Sequence, residues 1–146
     1  MKPQSPNFAS RVRESFALQK VMQTIGASLG KIAPGEVEII LPFRDDLTQQ
    51  NGFLHAGIVT TILDSACGYA AYTLMPEDAN VLSVEFKINL CAPAKGDTMI
   101  ARAKVKKPGR TLTVCEGDVC AVQDGAEKLV ATMQATMMMV LDRPDL

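Results

Sequence analysis

Hydrophobic positions change their period three times along the chain, and each change marks a new element. From Asn7 to Leu29, the residues Phe8, Val12, Phe16, Val21, Ile25 and Leu29 recur at steps that mostly suit a helix with one buried face. Arg11, Arg13, Glu14, Gln19, Lys20 and Gln23 fill the other positions, and Gly30 is the expected stop. Between Glu36 and Phe43 the period drops to two, with Val37, Ile39, Leu41 and Phe43 on one side of a half-buried strand. The polar stretch from Arg44 to Asn51, closed by Gly52, predicts a loop.

From Ala56 to Met75 nearly every position is apolar or small. Ile58, Val59, Ile62, Leu63, Ala66, Ala70 and Leu74 form a stripe at three- and four-residue steps, widened by Tyr69 and Tyr72. This predicts a helix buried almost all round. Asp64, Gly68 and the two tyrosines favour a soluble core helix over a membrane span.

After Pro76-Glu77-Asp78 the period returns to two. Leu82, Val84, Phe86, Ile88 and Leu90 alternate with Ser83, Glu85, Lys87 and Asn89, which puts Ser83 on the face opposite Leu82 and Val84. Further strands are expected over 98–107, 110–122 and 128–141, punctuated by Pro108-Gly109 and Asp124-Gly125. Consecutive strands joined by short turns pair antiparallel. The greasy face of such a sheet needs a cover, and the long apolar helix is the one candidate large enough. The expected fold class is α+β: an antiparallel sheet wrapped around a long central α-helix, with an N-terminal helix. A helical segment over 1–29 and a main domain over 30–146 are the expected divisions.

Composition narrows the function classes. Fifteen basic and sixteen acidic side chains leave a net charge of −1, without the positive excess of a nucleic-acid binder. Trp is absent, with two Tyr and five Phe, so a stacking platform for bases or sugars is not expected. Cys67, Cys91, Cys115 and Cys120 form no C-x-x-C pair, and His55 is the sole histidine. They read as reduced cysteines acting as small hydrophobes, with Cys115 and Cys120 on opposite faces of one strand. No metal is implied. The first six residues lack the apolar core of a signal peptide, so a cytoplasmic location is expected.

Asp64 is the residue that needs explaining. It is the only charged side chain between His55 and Glu77, midway along the most hydrophobic segment. A carboxylate there should be hydrogen-bonded, should face a water-filled cleft, or should have a raised pKa. The start of the same helix, His55-Ala56-Gly57, offers free backbone N–H groups and the positive end of the helix dipole, which can stabilise an oxyanion. Eight residues separate Ala56 from Asp64, a rise of roughly 12 Å. A reacting carbonyl must sit about 3 Å from its donors. One helix therefore cannot supply both groups, and an isologous dimer would supply them from two chains.

Several stretches carry a family resemblance. Gln49-Gln50-Asn51-Gly52-Phe53-Leu54-His55-Ala56-Gly57 followed by Leu63-Asp64-Ser65-Ala66 resembles the signature of hotdog-fold acyl-CoA thioesterases, in the phenylacetate-degradation (PaaI-like) branch related to 4-hydroxybenzoyl-CoA thioesterase. Ser83 to Asn89 and Pro93-Ala94-Lys95-Gly96-Asp97 resemble the strand and turn that follow. The likeness runs from about Gly30 to Val140. It implies Asp64 as general base or nucleophile, Gln49 as a positioning amide, and the Ala56 N–H, with Gly57 beside it, as the oxyanion site. It also implies Ser83 as an assisting hydroxyl.

In such enzymes Gln49 and Ala56 come from one subunit, and Asp64 and Ser83 from its partner, in a homodimer or a dimer of dimers. Ala56 stands where the family has Gly. Lys107, Gly109 and Arg110, with Lys104 and Lys106 nearby, match a region that contacts coenzyme A phosphates in relatives. His55 could act as acid or base, or fix the loop before the helix. No cofactor is implied, and neither nucleic acid nor membrane is an expected partner. Two other functions stay open from the residues: a hotdog dehydratase using His55 with Asp64, and a non-catalytic acyl-CoA binding protein.

Overall fold

A computed structural model describes residues 1–141; residues 142–146, the end of the expected 30–146 domain, lie outside the described residues. The elements, in chain order, are α1 (Phe8–Leu18), α2 (Lys20–Ile25), β1 (Ser28–Ala33), β2 (Glu36–Pro42), α3 (Ala56–Tyr72), β3 (Asn80–Leu90), β4 (Thr98–Lys107), β5 (Leu112–Gln123) and β6 (Ala126–Val140). The strands form one antiparallel six-stranded sheet in the order β1-β2-β4-β5-β6-β3, and α3 packs against β2 to β6. This is the antiparallel sheet wrapped around a central helix that the helix and strand periods predict, the hotdog arrangement that the resemblance implies.

The core is what the alternation of β2 and the stripe of α3 predict. Val37, Ile39 and Leu41 from β2 meet Val59, Ile62, Leu63, Ala66 and Ala70 from α3, all essentially inaccessible. Met99, Ala101 and Ala103 of β4, Cys115 and Val119 of β5, and Ala131, Met133, Ala135 and Met137 of β6 complete it. Gly117 lies where β5 crosses under α3: a Cβ there would sit 2.9 Å from the Leu63 side chain and 2.9 Å from the Arg102 carbonyl. The sheet can approach the helix at that point only because the side chain is absent.

The structure departs from the expected elements at several points. The helix predicted over 7–29 is two helices broken at Gln19, and it ends at Gly26 rather than Gly30. Gly26 takes φ of +78°, the left-handed cap that glycine adopts without strain, whereas Gly30 lies within β1 against Glu38 and Ile40. The strand β1 was hidden because Leu29 continues the helical spacing of Val21 and Ile25, and because a register irregularity between Leu29 and Ile32 breaks its alternation. Position 30, the expected domain division, therefore falls inside β1, while Val12, Met22 and Ile25 of the N-terminal helices are buried in the common core.

Nor do β3 and β4 form a hairpin. Residues 91–97 carry the chain across, and β3 pairs with β6 at the far edge of the sheet. Finally, a register shift between Ser83 and Glu85 inverts the strand's facing. Ser83 pairs with the buried Met137, and beyond the shift Phe86 and Ile88 pair with Ala135 and Met133 on the same core face. Leu82 instead pairs with Met138 on the outer face. Leu82, Val84, Phe86 and Leu90 are all exposed in the single chain.

The cysteine expectation holds in part. Cys115 is buried and Cys120 faces outward, as their odd spacing requires, and Cys67 is buried, but Cys91 is exposed. Asp124 and Gly125 both take positive φ, 51° and 77°, in the turn between β5 and β6.

Candidate active site

Asp64 sits in the middle of α3 on the flank that faces β3. Because the shift in β3 turns Ser83 inward, the Ser83 hydroxyl donates to Asp64 Oδ1 at 2.7 Å. Ser83 Oγ also lies 3.5 Å from Met137 Sδ, so the buried methionine floors the pair. The carboxylate is half-buried and opens onto a cleft of about 140 Å³ between α3, β3 and the N-terminal helices. Hydrogen bonding and a cleft are two of the three conditions expected of a charge in this segment.

At the other end of α3, His55 is the N-cap. Its Nδ1 accepts from the Gly57 N–H at 2.8 Å, which satisfies one of the unpaired amides of the first turn. The amides of Ile58 and Val59 bond to the His55 carbonyl. Among the described residues the Ala56 N–H has no partner. The two candidate oxyanion donors thus differ: the Gly57 amide is occupied and the Ala56 amide is free.

His55 and Ala56 line a second, larger cleft of about 580 Å³ with Gln49, Phe53, Leu90 and Val130. Gln49 Oε1 accepts from the Asn51 N–H in a tight turn, and the Gln49 main-chain N–H donates to the Phe53 carbonyl at 2.8 Å. The site residues expected from sequence therefore fall into two groups in one chain. Asp64 and Ser83 meet at one cleft, and Gln49, His55 and Ala56 meet at the other.

Lys107, Gly109 and Arg110 lie at the exposed connection between β4 and β5. Of the neighbouring basic residues, Lys104 and Lys106 both pair with Glu116, at 3.1 and 2.8 Å. Lys107 and Arg110 have no ion-pair partner among the described residues. A Cβ at Gly109 would lie 2.0 Å from the Leu112 carbonyl oxygen, so the glycine is fixed by the tight turn itself.

Sequence reasoning missed Ser15 and Gln19. The Ser15 hydroxyl and the Tyr69 hydroxyl are 3.2 Å apart, and the Ser65 hydroxyl donates to Gln19 Oε1 at 3.3 Å. Both residues line the Asp64 cleft from the α1–α2 junction. Burial raises the Tyr69 phenol above its ordinary pKa, with the bond from Ser15 opposing, so the hydroxyl stays protonated and able to donate. The polarity of Gln19 inside the expected helix was a signal, but its partner lies 46 residues away in sequence.

Comparison with known proteins identifies the family. The Thioesterase superfamily profile matches residues 51–128, which span the helix cap, Asp64 and Ser83. A thioesterase family protein from Silicibacter pomeroyi is 55% identical, with a TM-score of 0.90 over 92% of this chain and 98% of that one. Human acyl-coenzyme A thioesterase 13 is 32% identical over 109 residues, 70% of this chain and 76% of that protein. The PaaI protein of E. coli, from the phenylacetic acid degradation operon, shares the fold at a TM-score of 0.82 and 17% identity, over 94% of this chain and 96% of that one. The chain belongs to the thioesterase superfamily, with the hotdog fold of its PaaI-like members.

Proposed function

We propose that the protein hydrolyses acyl-CoA thioesters at a site shared by two copies of the chain. The single observation that carries this is the state of α3: a carboxylate held by Ser83 at an open cleft, on a helix whose first amide is unpartnered. The two groups are eight residues apart, roughly 12 Å along one helix, so they cannot act on one carbonyl within a chain. An antiparallel second copy would bring the Ala56 amide of one protomer to Asp64 of the other, twice by symmetry.

In this reading the thioester carbonyl oxygen accepts from the Ala56 N–H. Water positioned by Asp64 and Ser83 attacks the carbonyl carbon as its proton passes to the carboxylate. The tetrahedral intermediate then expels the CoA thiolate, leaving the free acid. Asp64 acting instead as a nucleophile, through an anhydride that water cleaves, uses the same geometry. Lys107 and Arg110 at the exposed connection supply positive charge for the phosphates of coenzyme A. The engagement of His55 Nδ1 by the Gly57 amide supports a capping role for the imidazole rather than the acid–base role a dehydratase requires.

Thiol release from a panel of acyl-CoAs is the test. Asp64→Asn should lower kcat by about 10²–10⁴-fold with the circular dichroism spectrum unchanged. Retention of a tenth of wild-type activity would exclude the carboxylate from the chemistry.

A further inference from the structure

The outer face of the sheet, turned away from α3, carries more order than a solvated surface needs. Ile40, Ile100, Cys120 and Leu129 stand directly opposite one another across β2, β4, β5 and β6. Each has a buried neighbour on its own strand, and Leu129 is 44% exposed. They form an apolar row on the side that a one-sided antiparallel sheet ordinarily gives to polar residues.

In the next two rows charge is sorted by strand. β4 presents Arg102 and Lys104, and β5 presents Asp118 and Glu116 opposite them. The chain satisfies only part of this arrangement. Lys104 shares Glu116 with Lys106, whereas Arg102 pairs with Glu38 and Glu127. Asp118 is exposed, with no ion pair among the described residues, and borders a groove of about 570 Å³ with Arg102, Lys104, Glu116 and Thr132.

A partner of one charge sign would be drawn to one of these strands and repelled by its neighbour, which argues against a nucleic acid or an anionic membrane. The face calls for acids opposite β4 and bases opposite β5 at the same row spacing, with apolar groups one row away. A second copy of the same face meets this when turned about a two-fold axis that runs along the strands between β4 and β5, the centre of the six-stranded order. The turn exchanges β4 with β5 and β2 with β6, and keeps each residue in its row. Arg102 then lies over Asp118 of the other copy, Lys104 over Glu116, Ile100 over Cys120 and Ile40 over Leu129, each contact twice. Six strands about 4.8 Å apart, over some eight residues of about 3.3 Å, span on the order of 700 Å². Stable interfaces cover roughly 800 Å² per partner, so the area suffices.

We infer that the outer face of the sheet, centred between β4 and β5, is an interface between two copies of this chain. It lies across the sheet from α3, so it is separate from the pairing that completes the active site. The two pairings together give an assembly of four chains.

Light scattering on wild type, Asp118→Lys and Leu129→Lys tests this. Both side chains are exposed in the single chain, so the circular dichroism spectrum should not change. The first variant sets like charges together across the axis, and the second sets a charge against Ile40, twice in each case. The dissociation constant should rise at least about tenfold, and the mass should fall from four chains to two. If wild type has two chains and both variants have one, the interface stands and the active-site pairing falls. Exchanging both members of one pair, Lys104→Glu with Glu116→Lys, preserves the match across the axis and should keep the wild-type mass. A wild type of one chain, a natively folded Asp118→Lys or Leu129→Lys of wild-type mass, or an exchanged pair that dissociates overturns the inference.

Discussion

Replacing Arg11 with methionine should weaken the hold of the N-terminal helices on the rest of the fold. Arg11 is only 9% exposed, yet no carboxylate pairs with it among the described residues. Its guanidinium instead donates to the main-chain carbonyls of Met75 and Ala79, each at 3.2 Å, and lies 4.4 Å from the centroid of the Tyr72 ring. Bonds from a charged donor contribute about 1.5–3 kcal/mol each, and a partly desolvated cation–π contact about 1 kcal/mol. Methionine preserves the apolar stem but leaves two buried carbonyls unpaired. It also removes the cost of burying a charge, which offsets part of the loss. The net destabilisation should be about 3 kcal/mol. For a chain of this size that lowers the thermal midpoint by about 6–12 °C. Urea titration at fixed protein concentration, with an unchanged slope, measures it directly. A loss below 1 kcal/mol would mean that the buried guanidinium contributes no net attachment. Arg11→Lys should fall between the two, because an ammonium cannot span both carbonyls from over the face of the ring.

Two further outcomes follow from the surface and the core. Side-chain hydrogen bonds from Arg102 and from Lys106 with Lys104 hold the Glu127 and Glu116 carboxyls below their ordinary value of 4.5. Depressed carboxyl pKa values stabilise the fold at neutral pH and lose that contribution as pH falls through the carboxyl range. The thermal midpoint should therefore decline between pH 6 and pH 3 less steeply in Arg102→Met than in wild type, and parallel curves would contradict the assignment. Burial pushes the Cys115 thiol up to about 12 and raises Cys67 as well, while Cys91 is exposed. At pH 8 a thiol reagent should label Cys91 rapidly in the native protein, and Cys67 and Cys115 only on unfolding; peptide mapping that finds either buried cysteine in the fast phase would refute this.

Much of the fold is legible in local pattern, and the failures have physical causes. The stripe of α3 and the alternation of β2 fix elements that pack against one another, so burial and period agree. At β3 the alternation Leu82, Val84, Phe86 misleads, because one register shift exchanges the faces of everything beyond it. The same shift explains why Ser83 reaches Asp64 when simple alternation turns it away. Strand order cannot be read from period at all: β3 and β4 differ from a hairpin only in how residues 91–97 run. Asp64 stood out because a lone charge among apolar residues is costly. Ser15 and Gln19 did not, since their polarity is ordinary for a helix surface and acquires meaning only when α1 and α2 lie over α3.

The clasp made by Arg11 also bears on the order in which a newly made chain can be completed. Its acceptors lie 64 and 68 residues downstream. At ribosomal speeds of about 5–20 residues per second, this helix must wait roughly 3–14 s after leaving the tunnel before its anchor points emerge in turn. During that interval the native neighbours open to α1 are α2 and β1, and its clasp on the turn after α3 is still to come.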